Sequence, residues 1–575
     1  MKTKILSILT AAGMTLLFQG CHDPEVVSSN GDERGILALT AQIVGDDSSA
    51  NNFQGVIDYE NHTILVRFTE TYPVESDSPM DPELIKNVRL TAALATNATI
   101  EPALTTMDLS KTNYITVTNA QGVKTRYSVT GEILPYWEST MTDMTLESGL
   151  SCIIDHELNV ITILTAEEDL EPQTATFEFS PHATVVPDIS VEPFDFDAEG
   201  AYITVYAQNG VDKTVYTFAK GEPNKIQFGF REGSQTVLWT KTWKQAGYTI
   251  QDAQTGFGVT NNYLILNEKG NMQAIVLDAK KGTDTGKRLD MSIIPNGMNH
   301  NMTSDNAGNI IVNSKFNDKE AMFKLWVFKG LDDPGTLLID QSVYGAGERV
   351  SVYGDITKDA VIVTTLNGTS LQACRWFVKD GVLGKSEVFT LSGIASTPWG
   401  HADIAPTSAT DPTADYFSVF YATVNGKRGP VMYNGATNAP KVIGLPNTKK
   451  RESESDGGQA DAGNWIMNAC DYVEFNKNMY FFHNSVNTFP WGENDMLFFL
   501  DVTSGDDMTK ECINMFWNGL NLNHQVGAMN AGFTGVAGNG NDVRLWVDES
   551  GFFMYGYFLF TNGYIGCFRV DCIDK

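Results

Sequence analysis

A chain of 575 residues with 70 acidic against 40 basic side chains, a formal net charge of −30, is long enough for several domains. It holds no basic stripe to neutralise phosphates, which excludes nucleic acid as a partner. The same balance excludes adhesion of the polypeptide itself to an anionic lipid surface.

Lys2 and Lys4 open the chain, Ile5 to Phe18 is mostly apolar, and Gln19, Gly20 and Cys21 follow. The apolar stretch is too short to span a bilayer stably and fits a removable signal peptide over residues 1–20. Leu17-Phe18-Gln19-Gly20-Cys21 resembles a lipobox, with Phe18 where leucine is commoner. The resemblance implies cleavage before Cys21 and lipidation of that residue. Residues 21–34 are polar, lack an apolar period and read as a flexible tether. No later segment approaches about 18 consecutive apolar residues, so contact with a membrane is expected only through the lipid.

Two internal repeats follow. Val56 to Val66 is echoed by Ile153 to Ile163, Asn97 to Pro102 by His182 to Pro187, and Tyr114-Ile115-Thr116-Val117 by Tyr202-Ile203-Thr204-Val205. Gly122 and Tyr127 close the first copy as Gly210 and Tyr216 close the second. Three matches in the same order indicate one module of about 90 residues present twice. Short alternating runs separated by Asn, Gln and Gly turns predict antiparallel β-sandwiches over residues 35–134 and 135–221. The pattern resembles the Ig-like or cadherin-like modules of Bacteroidota surface lipoproteins. His62, His156 and His182 within them read as surface or strand-end residues, and the acidic segments Asp46-Asp47 and Asp77 to Glu83 lack the spacing of a calcium loop.

From residue 222 onward strand pairs recur every 45 to 60 residues or so, the period and strand length of propeller blades. The pairs are Asn262 to Leu266 with Ala274 to Leu277, Gly308 to Val312 with Phe323 to Phe328, and Asp359 to Val363 with Cys374 to Val378. Further along come Ala414 to Val419 with Gly429 to Tyr433, Asn478 to Phe482 with Asp495 to Leu500, and Val543 to Val547 with Tyr564 to Val570. The chain therefore reads as all-β: two tandem Ig-like sandwiches, then a β-propeller over residues 222–575. Six blades are expected, with five or seven as alternatives, and the stretch from Lys225 to Trp243 is placed to complete the last blade. Six cysteines beyond Cys21 form no CxxC pair, so mostly free thiols are expected, with Cys567 and Cys572 close enough to bridge if a turn separates them.

No GxSxG, HExxH or P-loop motif is present, and no catalytic residue, cofactor or metal site is expected. His300, His401, His483 and His524 fall one per repeat; convergence on a central channel would allow a metal, while hydrogen bonding is the plainer reading. The informative residues are aromatic and lie in polar loops. Trp399 and His401 sit in Pro398-Trp399-Gly400-His401, Trp465 follows a long polar run, and Trp491 lies between Pro490 and Gly492. Trp517 leads into Asn521, Asn523 and His524. A tryptophan flanked by Pro and Gly is hard to bury and offers a flat face for a sugar ring, with Asn521, His401 and His524 to pair its hydroxyls. These seven residues are the candidate glycan-binding set; the alternative is that the indoles pack beneath loops and close blades.

Anchor, spacer modules and terminal head, in that order, resemble the surface glycan-binding lipoproteins of Bacteroidota polysaccharide-utilisation systems. That resemblance implies an outer-membrane, lipid-anchored, non-catalytic protein that captures a glycan beside an outer-membrane transporter. A glycoside hydrolase or lyase built on the propeller is the alternative, and a protein-binding scaffold or adhesin the second.

Overall fold

The computed structural model describes residues 34–46, 48, 51–317, 319–368, 371–393, 402–420, 424, 429–444, 465–487, 495–513, 526–528, 531–533, 535–536 and 540–574. Cys21 lies outside them. Among the described residues there is no α-helix, and the six cysteines are free thiols. The chain divides into two compact units, Met1–Gly221 and Glu222–Lys575.

The first unit contains the repeated module, and the repetition extends to topology. In the first copy the strands Phe53–Asp58 and Thr63–Thr69 form a hairpin. Thr63–Thr69 pairs in parallel with Lys124–Leu134, which pairs with Asn113–Thr118 and through it with Thr99–Glu101. In the second copy Cys152–Asp155, Val160–Leu164, Lys213–Gly221, Tyr202–Tyr206 and Thr184–Val186 repeat the same order, with the same parallel step. The antiparallel pair Ile36–Ile43 with Val88–Leu94 corresponds to Met141–Leu146 with Ala175–Phe179. Left-handed backbone recurs at the matching turns, at His62 and Asn159, and at Asn97 and His182.

Alternation packs each copy around its own core. Ile115, Val117, Tyr127 and Val129 meet Leu39, Ile64 and Val66 in the first, and Ile203, Val205 and Tyr216 meet Met141, Met144 and Ile161 in the second. His182 is more than a strand-end residue. Its Nε2 lies 2.8 Å from the Val74 carbonyl and 3.1 Å from Thr71 Oγ1, and so ties the second copy to the loop of the first.

In the second unit the described strands form six antiparallel groups of four or five strands, each numbered here as a sheet in chain order. Their first strands are Gln254–Val259, Asn301–Ser304, Val350–Gly354, Ala402–Pro406, Cys470–Phe475 and Asp542–Val547. Each first strand neighbours the next, and the sixth neighbours the first, so the sheets follow one another in a closed, propeller-like ring. The first and second sheets even join through a parallel bridge at Gly256 and Met302. Only glycine fits there: a Cβ on Gly256 would stand 2.3 Å from the Met302 carbonyl oxygen.

The ring is latched by mixing chain ends. Thr236–Thr242 pairs with Tyr564–Asp571, followed inward by Phe553–Leu559 and Asp542–Val547. Ahead of that latch strand, Arg231 forms a two-pronged ion pair with Asp571, at 2.9 and 2.7 Å.

Apolar clusters fill the wedges between neighbouring sheets. Ile265 and Val276 meet Ile310 and Trp326; Ile311 and Phe323 meet Ile362 and Trp376; Val363 and Phe389 meet Tyr416 and Tyr433; Phe417 and Met432 meet Tyr472 and Phe481. Second and third strands are buried on both faces, which is why they read as continuous apolar runs. Five of the six strand pairs expected from sequence are these second and third strands. The last expectation is corrected: Val543 to Val547 and Tyr564 to Val570 are not neighbours, because Phe553–Leu559 lies between them.

Candidate functional site

Six first strands converging on one axis leave backbone N–H groups that no ladder satisfies, and the sequence supplies polar side chains there. Asp403 Oδ2 accepts from the Cys470 amide at 3.0 Å, Asp471 Oδ2 from the Leu545 amide at 2.8 Å, and Asp542 Oδ2 from the Phe257 amide at 3.4 Å. Each carboxylate thus reaches from one sheet to the next. Arg349 spans this belt: it pairs with Asp542, lies 3.3 Å from Asp403, and donates to the Asn541 carbonyl at 2.5 Å. Arg544 lies 3.6 Å from Asp471.

Three carboxylates, Asp403 and Asp542 buried and Asp471 partly so, against two guanidinium groups leave one negative charge in excess. Burial outweighs the arginines and pushes Asp542 up to about 6, and raises Asp471 as well. Every one of these acids is engaged in holding sheets together.

The Asp403 and Asp542 ends of the first strands define one end of the ring. Second strands finish there too, since Gln254 pairs with Glu268, Asn301 with Asn313 and Val350 with Thr364. At this end the described residues form a shelf. Tyr344 is 62% exposed, unusual for so large a ring, and packs edge-on against Phe316 with ring centres 5.5 Å apart. Its loop is pinned on both sides. The Phe316 amide donates to the Ala346 carbonyl at 2.9 Å, and the Asn367 amide donates to the Gly345 carbonyl at 2.8 Å.

Polar side chains lie on the residues next to this loop's hydrogen-bonded partners. Glu348, nearly buried, pairs with Lys315 and accepts from Asn367 Nδ2 at 3.0 Å. One sheet further back, Lys269 Nζ lies 2.9 Å from His300 Nδ1. An ammonium only donates, so Nδ1 accepts and the neutral imidazole carries its proton on Nε2. Burial, with Lys269 and Lys315 close by, holds His300 well below the usual imidazole range.

Of the residues expected to bind glycan, Trp399, His401, Trp491, Trp517, Asn521 and His524 lie outside the described residues. Trp465 begins the short strand Trp465–Ile466, and its side chain also lies outside them. The described residues bordering these segments, Ala402, Val486, Met496 and Ile513, all belong to the same end of the ring as Tyr344. Of the four histidines that fall one per repeat, His300 and His483 are within the described residues, and His300 bonds to a lysine. His483 is buried and stacks on Phe498, with ring centres 4.8 Å apart. No group of three or more potential metal ligands occurs among the described residues. A void of about 30 Å³ between the third and fourth sheets, beside Arg375, Phe377 and Tyr416, holds little more than a water. The shelf was missed in the sequence, although Tyr344-Gly345-Ala346-Gly347 meets the same test applied to the tryptophans: an aromatic beside glycine in a polar loop.

No functionally curated protein matches the chain. Among solved structures it is similar to a DUF4623 family protein from Bacteroides eggerthii, at 14% identity and a TM-score of 0.43, over 76% of this chain and 99% of that one. An endo-arabinase from Bacteroides thetaiotaomicron gives 11% identity and a TM-score of 0.29, over 57% of this chain and 96% of that one. A DUF4221 family member from Bacteroides vulgatus gives 8% and 0.30, over 61% of this chain and all of the other. By sequence, residues 16–131 match the family described as domain of unknown function DUF5018, and residues 141–220 match DUF8499. Residues 246–571, more than half of the chain and nearly all of the ring, match a third such description: the protein belongs to the family of the domain of unknown function DUF8500.

Proposed function

We propose that this protein is a lipid-anchored surface glycan-binding protein of the bacterial outer membrane, tethered through Cys21, with two Ig-like spacer modules and a β-propeller head. The observation that carries the reading is the shelf: an exposed tyrosine, propped on Phe316 and pinned by two backbone hydrogen bonds, with Asn367, Glu348 and Lys315 within its surroundings. Sugar C–H faces pack on such a ring while hydroxyls pair with the amide and charged groups, and a pinned loop loses little entropy on binding. Trp399, Trp465, Trp491 and Trp517, with His401, Asn521 and His524, are proposed to extend the surface, since the described residues Ala402, Val486, Met496 and Ile513 that border their segments lie at the same end. A transporter of the outer membrane is the proposed partner.

The binding reading is favoured over glycoside hydrolysis by what the axial carboxylates already do. Hydrolysis needs a pair of carboxyl groups open to the scissile bond. Asp403 and Asp542 are instead buried, Asp471 is partly buried, and all three are spent on amides and arginines. Affinity electrophoresis through a panel of polysaccharide gels tests the proposal. Tyr344→Ala is expected to weaken retention by about tenfold, the scale of one lost stacking contact, without a change in melting temperature. Undiminished retention of Tyr344→Ala and of all four Trp→Ala variants would sink it, and release of oligosaccharide products would move the protein to the hydrolase class.

A further inference from the structure

The two copies of the N-terminal module differ on one surface. In each, the five strands that repeat turn alternate residues to the core and the rest outward, and the outward positions match strand by strand. In the first copy this outward face carries Asp58, Arg67, Glu101, Lys124, Arg126 and Glu132. In the second the same positions hold Asp155, Leu164, Val186, Lys213, Val215 and Gly221. The cross-strand row Glu101–Thr116–Arg126 thus becomes Val186–Thr204–Val215. The Arg126 guanidinium lies 3.9 Å over the Tyr114 ring; Val215 stands in its place in the second copy, so Tyr202 lacks that cover. Ile153, Val186, Tyr202 and Val215 are 57%, 55%, 55% and 43% exposed. The first copy folds with charges at these positions, so the fold does not demand their loss.

Around this face the charge is of one sign. Residues 135–221 hold 16 acidic against two basic side chains. Of those acids only Asp155 belongs to the face, while Glu157, Asp188, Glu199 and Asp212 stand exposed in the connections at its strand ends. An apolar centre within an acidic rim is complementary to a protein surface with an apolar centre and a cationic rim. A second copy of this chain would bring like charges against the rim, and a neutral polysaccharide would draw nothing from it. We propose that the outward sheet face of the second module docks a protein partner of that kind, so that the module recognises as well as spaces. The face is about 20 Å across and about as long, roughly half of what a permanent interface takes from each partner, so the contact is reversible. Apolar packing at the centre sets its strength, and the rim speeds and orients docking.

This docking role goes beyond glycan binding by the ring and stands or falls without it. A photo-reactive benzophenone amino acid is placed at position 153 or 215 of the full chain, in the cells that produce it, with the matching positions 56 and 126 of the first module as controls. Discrete adducts to one other protein are expected from 153 and 215 and not from 56 and 126. With that protein purified, Val186→Glu/Val215→Arg, which restores the pair of the first module, weakens its binding to the full chain by about tenfold or more and leaves the circular dichroism spectrum unchanged. Added salt weakens the wild-type complex. Reversal of two exposed rim charges, Glu157→Lys/Asp188→Lys, weakens it at low salt and flattens the salt response. Equal adducts from all four positions, adducts joining two copies of this chain, a smear of polysaccharide adduct, or no adduct at all overturn the proposal. Undiminished binding of Val186→Glu/Val215→Arg to the captured protein does so too, and a complex indifferent to salt overturns the cationic rim.

Discussion

At the scale of single residues, the axis of the ring is governed by a charge imbalance. Asp403, Asp471 and Asp542 share Arg349 and Arg544, and the belt is buried, so one proton relieves the excess charge. Asp542 is an acid of this belt that burial lifts to about 6. Its carboxyl titrates at about 6 in the folded protein against 3.8 when exposed. A raised carboxylate pKa means that the folded state binds the proton more tightly than the unfolded chain. The stabilisation from this group is therefore full below about 3.8 and is lost as pH rises through about 6. Melting curves at pH 5 and pH 7 are expected to show the ring more stable at pH 5 by an increment that Asp542→Asn removes. An identical pH slope in wild type and Asp542→Asn would refute the assignment.

At the scale of elements, the latch strand Thr236–Thr242 shows both what the sequence reveals and what it conceals. Its place at the far end of the ring's chain could be anticipated, because a closed ring needs one sheet built from both ends. Its anchor could not. Trp239 is nearly buried, donates from Nε1 to the Ala279 carbonyl at 3.0 Å, and lies over Gly282, where any Cβ would collide with the indole at 2.3 Å. Trp239→Ala removes that packing and leaves a buried carbonyl without its donor. A loss of about 3–5 kcal/mol is expected in urea unfolding followed by tryptophan fluorescence and circular dichroism. The same contrast holds around the ring. Second and third strands such as Ala360–Thr365 and Gln372–Lys379 announced themselves through apolar runs, since both faces are covered. First strands did not: Asn301–Ser304 is buried yet spells Asn-Met-Thr-Ser, because its polar side chains serve the axis. Phe553–Leu559 was passed over since Gly556, which admits the Phe568 ring, interrupts its aromatic run. The candidate site was legible only as a residue type in a loop context. That Tyr344 meets Phe316, and Lys269 meets His300, depends on sheets adjacent in space, which no local pattern encodes.

At the scale of the whole molecule, each unit holds its own apolar cores. The clusters around Ile64 and Ile161 draw only on residues before 222, and those between the ring's sheets draw only on residues after it. A lesion in one set of cores leaves the packing of the other untouched, so its cost should fall on one cooperative transition. Arg349→Ala is the sharpest lesion for the ring. It leaves Asp403 and Asp542 buried without their shared cation, a loss of about 3–5 kcal/mol. Ile161→Ala is its counterpart in the second module, where the side chain is fully buried and truncation costs about 2–5 kcal/mol. Calorimetry of the full chain is expected to show two transitions, with Arg349→Ala lowering one and Ile161→Ala the other. The transition that Arg349→Ala lowers should also be the one that a retained glycan raises, because ligand bound to a folded unit stabilises that unit. If the glycan instead raises the transition lowered by Ile161→Ala, the binding surface belongs to the modules, and the aromatic shelf on the ring is not the site.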